Sequence, residues 1–355
     1  MPKNIILTGG GTAGHVTPNL ALIEPLRAAG FEVGYMGQPK EMERGLAEGA
    51  GLPYYFVRAG RFHRYLTKDF WDPLLNIKGF FMANKVFRKL KPDIVFAKGG
   101  FVSIPVVTAA RWRRIPVVLH ESDFTPGLAN RVCAPFATRV CTNFRETVDF
   151  FKPGKAVCTG TPIRKELTEG DPEEGLRLTG FTRERPIVLV MGGSLGAAAL
   201  NEAVRAALPL LLKKYQLVHL CGRGNLDESL AGLEGYVQLE YASEELKHLY
   251  AMADVMLSRA GANALAEILL LQMPALLVPL PASSGSRGDQ ELNAESFEKN
   301  GYSRVLPQAE ITSERLSDEL DAMYDARETL RAAMQSSEAK DGTEAVMKVI
   351  LEVAK

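Results

Sequence analysis

At 355 residues the chain is longer than a single hydrophobic core ordinarily supports, so two domains are expected. Apolar residues make up 46% and charged residues 24%, which fits a globular protein and excludes a disordered or fibrous one. Lys plus Arg and Asp plus Glu both number 42, so no global field favours nucleic acid and only local patches of charge can recruit a partner.

Along the chain, Met1-Pro2-Lys3-Asn4 runs straight into an apolar strand and shows no signal-peptide pattern. Short aliphatic runs then alternate with helix-length segments. Strands are predicted at 4–8, 32–36, 94–97, 117–120 and 139–141, then at 187–191, 217–220, 237–239, 255–258 and 275–278. Apolar strands bounded by glycine and separated by helices indicate parallel sheets built from β-α-β units, with helices on both faces. The longest apolar stretch, 268–280, is interrupted by Gln272, Pro274 and Pro279, so no transmembrane helix is predicted and any membrane contact is peripheral. Cys133, Cys141, Cys158 and Cys221 are widely spaced with no C-x-x-C, which implies neither a disulfide framework nor a zinc site and suits a reducing cytosol.

The strongest internal signal is a repeat. Gly10-Gly11-Thr12-Ala13-Gly14, followed by Asn19, recurs as Gly192-Gly193-Ser194-Leu195-Gly196, followed by Asn201 at the same spacing. Each copy follows an aliphatic strand and opens a helix, so two doubly wound domains are expected. The Gly/Pro-punctuated stretch Thr159-Gly160-Thr161-Pro162 sets the boundary, giving domains 1–161 and 162–336. The last segment, roughly 313–355, is helical by pattern and charge, with 337–355 set apart as a final helix, and its sequence does not say which domain it packs on.

Ligands of open α/β sheets bind beyond the carboxyl ends of the strands, and the polar and glycine-rich loops fall there. Gly9, Gly11 and Gly14 satisfy G-x-G-x-x-G, but the second strand ends in Tyr35-Met36-Gly37-Gln38 with no acid before Glu41. Cradling of a phosphate or lipid diphosphate therefore ranks above a dinucleotide, whose ribose wants an acid there; the bland alternative is a tight turn only. His15, in the first turn of the next helix, is held neutral by the helix's positive end and is placed to accept a proton from a sugar hydroxyl, or else only to bond a neighbouring carbonyl. Lys98-Gly99-Gly100-Phe101 and His120-Glu121-Ser122-Asp123 follow later strands of the same half, where His120 and Glu121 could instead cap a helix.

In the second half, Ser258-Arg259-Ala260-Gly261 starts a helix able to hold a diphosphate through backbone N–H groups, with Glu267 one turn in to accept from ribose hydroxyls or simply to complement the helix dipole. Gln290 lies in a further polar loop at the same edge. The chain has no D-x-D and no His/Cys cluster, so no metal site is assigned; no cofactor is required, and a loosely held divalent ion would be non-essential. Finally, Phe62, Trp71, Leu75 and Phe80, and further on Trp112, are interleaved with Lys and Arg, which suits an anionic bilayer surface or an amphipathic helix packed on the sheet.

Taken together and in this order, the segments Gly10 to Val16, Lys98 to Ser103, His120 to Asp123 with Pro126-Gly127-Leu128-Ala129-Asn130, Gly192 to Gly196 and Ser258 to Gly261 resemble the MurG family of peptidoglycan N-acetylglucosaminyltransferases over nearly the whole chain. The resemblance implies a GT-B fold: α/β, with two Rossmann-like doubly wound parallel-sheet domains, a deep cleft between them, and 337–355 packing back on the first. It implies inverting transfer of N-acetylglucosamine from UDP-GlcNAc to the C4 hydroxyl of undecaprenyl-pyrophosphoryl-MurNAc-pentapeptide, lipid I, giving lipid II. By matching motif, His15 is the base. Thr12, Ala13, Gly14, Arg164, Ser194, Gly261, Glu267 and Gln290 contact the donor, the first three beside the transferring sugar and acceptor diphosphate. Gly11, Gly100, His120 and Asp123 contact the acceptor. The aromatic–basic segment would dock on the cytoplasmic leaflet of the cell membrane, where other cell-wall synthesis and division proteins are the implied partners. Some members carry Asn where this chain has Asp123, so that residue's donor role does not transfer. Alternatives are a sugar-nucleotide 2-epimerase on the same fold, a non-catalytic nucleotide-sugar scaffold and, from the glycine fingerprint alone, a dehydrogenase.

Overall fold

The computed structural model describes residues 2–10, 13–60, 72–193, 196–284, 287–337 and 342–354. The chain divides into two compact units, Met1–Arg164 with Asp341–Lys355, and Lys165–Lys340.

The first unit is a seven-stranded sheet of β1 (Lys3–Thr8), β2 (Phe31–Gly37), β3 (Tyr54–Phe56), β4 (Ile94–Ala97), β5 (Val117–Glu121), β6 (Arg139–Thr142) and β7 (Ala156–Cys158), in the order β3-β2-β1-β4-β5-β6-β7. Every pairing is parallel. Strand alternation sorts the side chains into two cores. Ile5, Leu7, Phe96 and Val118 face one layer, shared with Leu22, Leu26, Val346 and Ile350. Ile6, Val95, Ala97, Val117 and Leu119 face the other, shared with Ala83, Phe87, Val106 and Ala110. Both faces are covered, which is why these strands read as unbroken apolar runs.

The second unit repeats the plan with β8 (Ile187–Met191), β9 (Gln216–Leu220), β10 (Tyr236–Leu239), β11 (Val255–Ser258), β12 (Ala275–Leu277) and β13 (Ser303–Val305), ordered β10-β9-β8-β11-β12-β13 and again parallel. The strands not anticipated from sequence, β3, β7 and β13, are three-residue strands at sheet edges.

The final helix, Gly342–Val353, buries Val346 and Ile350 completely in the first unit. Its start is fixed to the end of that unit's chain: the Thr343 hydroxyl accepts from the Ile163 N–H and donates to the Ile163 carbonyl, both at 3.0 Å. A Cβ on Gly342 would lie 2.3 Å from the Thr161 carbonyl oxygen, so only glycine fits. These contacts carry the first unit through Arg164, three residues past the boundary expected at 161, and they start its return at 341 rather than 337.

Candidate functional site

In each sheet the chain reverses its direction of winding between neighbouring strands, β1 and β4 in the first, β8 and β11 in the second. Such switch points open a crevice at the carboxyl ends. The glycine loops stand there. Thr8 pairs with Ala97, so the loop after β1 and Lys98-Gly99-Gly100 after β4 are adjacent. Gly100 has φ +77°, and a Cβ on it would lie 2.2 Å from the Gly10 carbonyl oxygen. This close approach is what the second Gly-Gly pair permits.

The β1 loop is held from beneath by buried polar groups. The Tyr35 hydroxyl on β2 donates to the Gly9 carbonyl at 2.6 Å, and burial pushes its phenol up so that it stays a donor. The Asn19 amide donates to the Thr8 carbonyl at 3.2 Å, to the Tyr35 oxygen at 3.3 Å and to the His15 carbonyl at 3.4 Å. Asn201, the repeat's second asparagine, is likewise buried: it donates to the Cys221 carbonyl at 2.8 Å and pairs with His219 Nε2 at 3.0 Å. The repeated Asn is thus a scaffold in both units. Burial lowers His219 to about 3, so it is neutral. His15 closes a turn of 3-10 helix, Ala13–His15, and is half-buried. Gly11, Thr12 and Ser194 lie outside the described residues, as do Phe62 and Trp71.

A buried acid lies behind the first glycine loop. Glu43, in the helix Glu41–Gly49, is fully buried and accepts from the Gln38 N–H at 3.1 Å. A Cβ on Gly10 would lie 2.6 Å from its carboxylate. Sequence position alone concealed it, because the residue reaches back from the following helix.

The end of β5 gives one correction. His120, expected to contact the acceptor, is fully buried, and its Nε2 is 2.9 Å from the Gly160 carbonyl. Burial, with the nearby Lys98 charge, holds it well below the usual histidine range. Without an accessible face it cannot touch a substrate, and it braces the chain leaving the unit. Glu121, also buried, accepts from the N–H groups of Asp123 (3.0 Å) and Gly127 (2.9 Å) and from the Asn130 amide (2.8 Å). Its carboxylate shapes the loop that carries half-buried Asp123.

In the second unit Gly261 caps the helix Ala262–Leu271, with open space where a Cβ would stand. Two buried residues position this helix start. Arg259 donates to the Val278 and Pro279 carbonyls (3.0 and 3.2 Å) and to Gln308 (2.7 Å), and the Asn293 amide donates to the Ala260 carbonyl at 3.2 Å. The arginine in the Ser-Arg-Ala-Gly run was a usable signal; nothing local marked Asn293. Glu267, half-buried on the same helix, accepts from the Tyr250 hydroxyl at 2.7 Å. Gln290, early in the helix Asp289–Lys299, accepts from the Leu280 N–H at 3.0 Å and closes the loop after β12. Gly261, Glu267 and Gln290 therefore follow neighbouring strands, β11 and β12. Arg164 is the last residue of the first unit, where the second had been expected.

The helices Asp72–Leu90 and Ser103–Trp112 pack side by side, with Phe80 edge-on to Trp112 at 6.3 Å between ring centroids. Leu75 and Phe80 are half-buried, which narrows the expected docking set. The exposed apolar residues are Leu74 (50%), Ile77 (54%), Phe81 (63%) and Trp112 (74%), a helical stripe extended by the neighbouring helix. Exposed Lys78, Lys85, Arg88, Arg111 and Arg113 flank them. No helix among the described residues is long and apolar enough to cross a membrane.

Two family models match the chain: the glycosyltransferase family 28 N-terminal domain over residues 5–142 and the family 28 C-terminal domain over residues 187–349. The chain is 50% identical over 352 residues, covering 99% of both sequences, to the UDP-N-acetylglucosamine--N-acetylmuramyl-(pentapeptide) pyrophosphoryl-undecaprenol N-acetylglucosamine transferase of Lachnoclostridium phytofermentans. It is 49% identical over 354 residues to the protein of the same name from Clostridium botulinum, covering 99% of this chain and all of that one. Among solved structures it is similar to Acinetobacter baumannii MurG, with TM-score 0.77 and 27% identity over 99% of this chain and all of that one.

Proposed function

The chain belongs to glycosyltransferase family 28, and from that premise we infer that it transfers N-acetylglucosamine from UDP-GlcNAc to lipid I, forming lipid II. The observation that carries this conclusion is the 50% identity, over 99% of both chains, to a relative named for that transfer.

In the mechanism we propose, the loops after β1 and β4 take the acceptor diphosphate and the helix start at Gly261 takes the donor's. His15 removes the proton from the C4 hydroxyl of the muramic sugar, and that oxygen attacks the anomeric carbon from the face opposite UDP. One C–O bond forms as the bond to the β-phosphate oxygen breaks, so the anomeric centre inverts. The N–H groups at Gly261 receive the charge on the leaving diphosphate. Glu267 is the ribose partner. The chain's lack of any D-x-D pair supports transfer without a resident divalent ion.

Labelled UDP-GlcNAc and a lipid I analogue test the reaction directly. The expected result is labelled disaccharide lipid and UDP in equal amounts, with or without chelator. UDP-ManNAc formed from donor alone, or donor binding with no transfer, would overturn the transferase conclusion.

We also place the enzyme peripherally on the cytoplasmic face of the membrane, through the stripe of Leu74, Ile77, Phe81 and Trp112. Its flanking cations would meet anionic head groups. Replacing Phe81 and Trp112 together by aspartate is expected to weaken binding to phosphatidylglycerol vesicles by roughly tenfold or more, since each ring contributes about 1–2 kcal/mol on insertion. Circular dichroism should not change. Sedimentation with vesicles at the native level would remove this face from membrane binding.

A further inference from the structure

Lys98 directly follows β4, is only 1% exposed, and no role above uses it. Its ammonium donates to the Ser122 hydroxyl in the loop after β5. Its stem backs the first glycine loop, since a Cβ on Gly9 would lie 3.1 Å from the Lys98 Cβ. One buried cation therefore supports the loops after β1, β4 and β5 together.

The titratable groups facing it are His120 and Glu121 on β5, Asp123 in the following loop and Cys141 on β6. His120 is neutral, and burial pushes the Cys141 thiol up to about 12, so it is neutral too. Lys98 is thus set against the carboxyl groups of Glu121 and Asp123; burial and then the Asp123 charge push the Glu121 carboxyl up, and the ammonium beside it opposes that rise. Glu121 is fixed by three N–H donors and cannot turn away. Burial lowers Lys98 to about 8, while the charges of Glu121 and Asp123 oppose the fall.

We propose that Lys98 is a positioning residue for the acceptor: its ammonium, anchored on Ser122, offsets the Glu121 and Asp123 carboxylates so that an anionic prenyl diphosphate can approach these loops. The proposal rests on the transferase conclusion above and gives one residue a task within it. Without the cation, the Glu121 and Asp123 carboxylates would lose the ammonium that faces them where a diphosphate must arrive, and repulsion would displace the loop or the ligand.

A charge cycle tests this with K98M, D123N and the double variant. K98M is expected to raise KM for the lipid I analogue about tenfold or more and leave KM for UDP-GlcNAc within about twofold. In the K98M/D123N variant most of that loss should be recovered, because removing one carboxylate together with the cation restores the native net charge of the cluster. Losses that simply multiply in the double variant, or an acceptor KM that K98M leaves unmoved, overturn the proposal. Repeating the cycle by calorimetry with a short prenyl diphosphate needs no turnover, so failure of the Lys98 assignment and failure of the transferase conclusion give different results.

The native enzyme supplies a second measurement if K98M does not fold. A depressed lysine pKa means the cation is present below about pH 8 and lost above it. Acceptor kcat/KM should therefore fall above that pH, and K98R, which keeps its charge, should move the fall upward. A profile flat through this range, or one that K98R leaves in place, overturns the proposal.

Discussion

His15→Ala is expected to lower turnover by about 10²–10⁴ with the fold intact. The side chain follows the glycine loop at the β1/β4 switch point, where the acceptor hydroxyl is proposed to lie. A sugar hydroxyl is a weak nucleophile until its proton has somewhere to go, and an imidazole within reach supplies that acceptor at neutral pH. The fold should survive because the scaffold beneath the loop uses the His15 backbone carbonyl, which bonds the Asn19 amide in the variant as well. The melting temperature and both KM values should therefore stay near native while kcat drops. Unchanged turnover would take His15 out of the mechanism.

Ending the chain at residue 340 is expected to unfold the first unit. The final helix contributes Val346 and Ile350, fully buried, and Met347 and Val349, at 8% exposure, to the same core as Ile5, Leu7, Leu22 and Leu26. Burying such side chains contributes about 1.5–3 kcal/mol each, so the four together approach the whole stability of a typical domain, about 5–15 kcal/mol. The Thr343 bonds to Ile163 and the Lys3 ammonium's bond to the Ala354 carbonyl, at 2.7 Å, go with them. Hydrogen exchange should show β1, β4 and β5 unprotected while β8, β9 and β11 keep their protection. Native protection in the first sheet of the truncated chain would refute this account of the core.

Much of the architecture was legible because it is local chemistry repeated. Each anticipated strand is an apolar run closed by a polar or glycine-rich turn, and a strand buried on both faces has few other compositions available to it. The Gly-Gly repeat marked the first strand of both sheets, and its two asparagines proved to be equivalent scaffold residues. The missed strands were short ones at sheet edges. Tyr54–Phe56 and Ala156–Cys158 are partly exposed, so they lack the continuous apolar signature that betrays a central strand.

The site was legible as a set of loops and illegible in its interior. Glycines that admit close approach can be read from their own positions, as Gly100 shows against Gly10. Burial cannot. His120 looked like a substrate contact by sitting at a strand end, yet its ring turns inward to the Gly160 carbonyl. Glu43 packs against Gly10 and Asn293 bonds the Ala260 carbonyl, both on loops far from them in sequence, and their own surroundings carry no trace of it.

By itself the sequence determined that there are two parallel-sheet units, where their glycine loops fall and what chemistry those loops can cradle, because periodicity and turn residues act over a few neighbours. Only the tertiary structure decided which side chains of the last helix enter the first unit's core, that Lys98 and Glu121 are enclosed, and which aromatic residues remain on the surface. Those outcomes depend on which distant segments come to cover a face, and a side chain's solvation is a property of that cover and not of its neighbours in the chain.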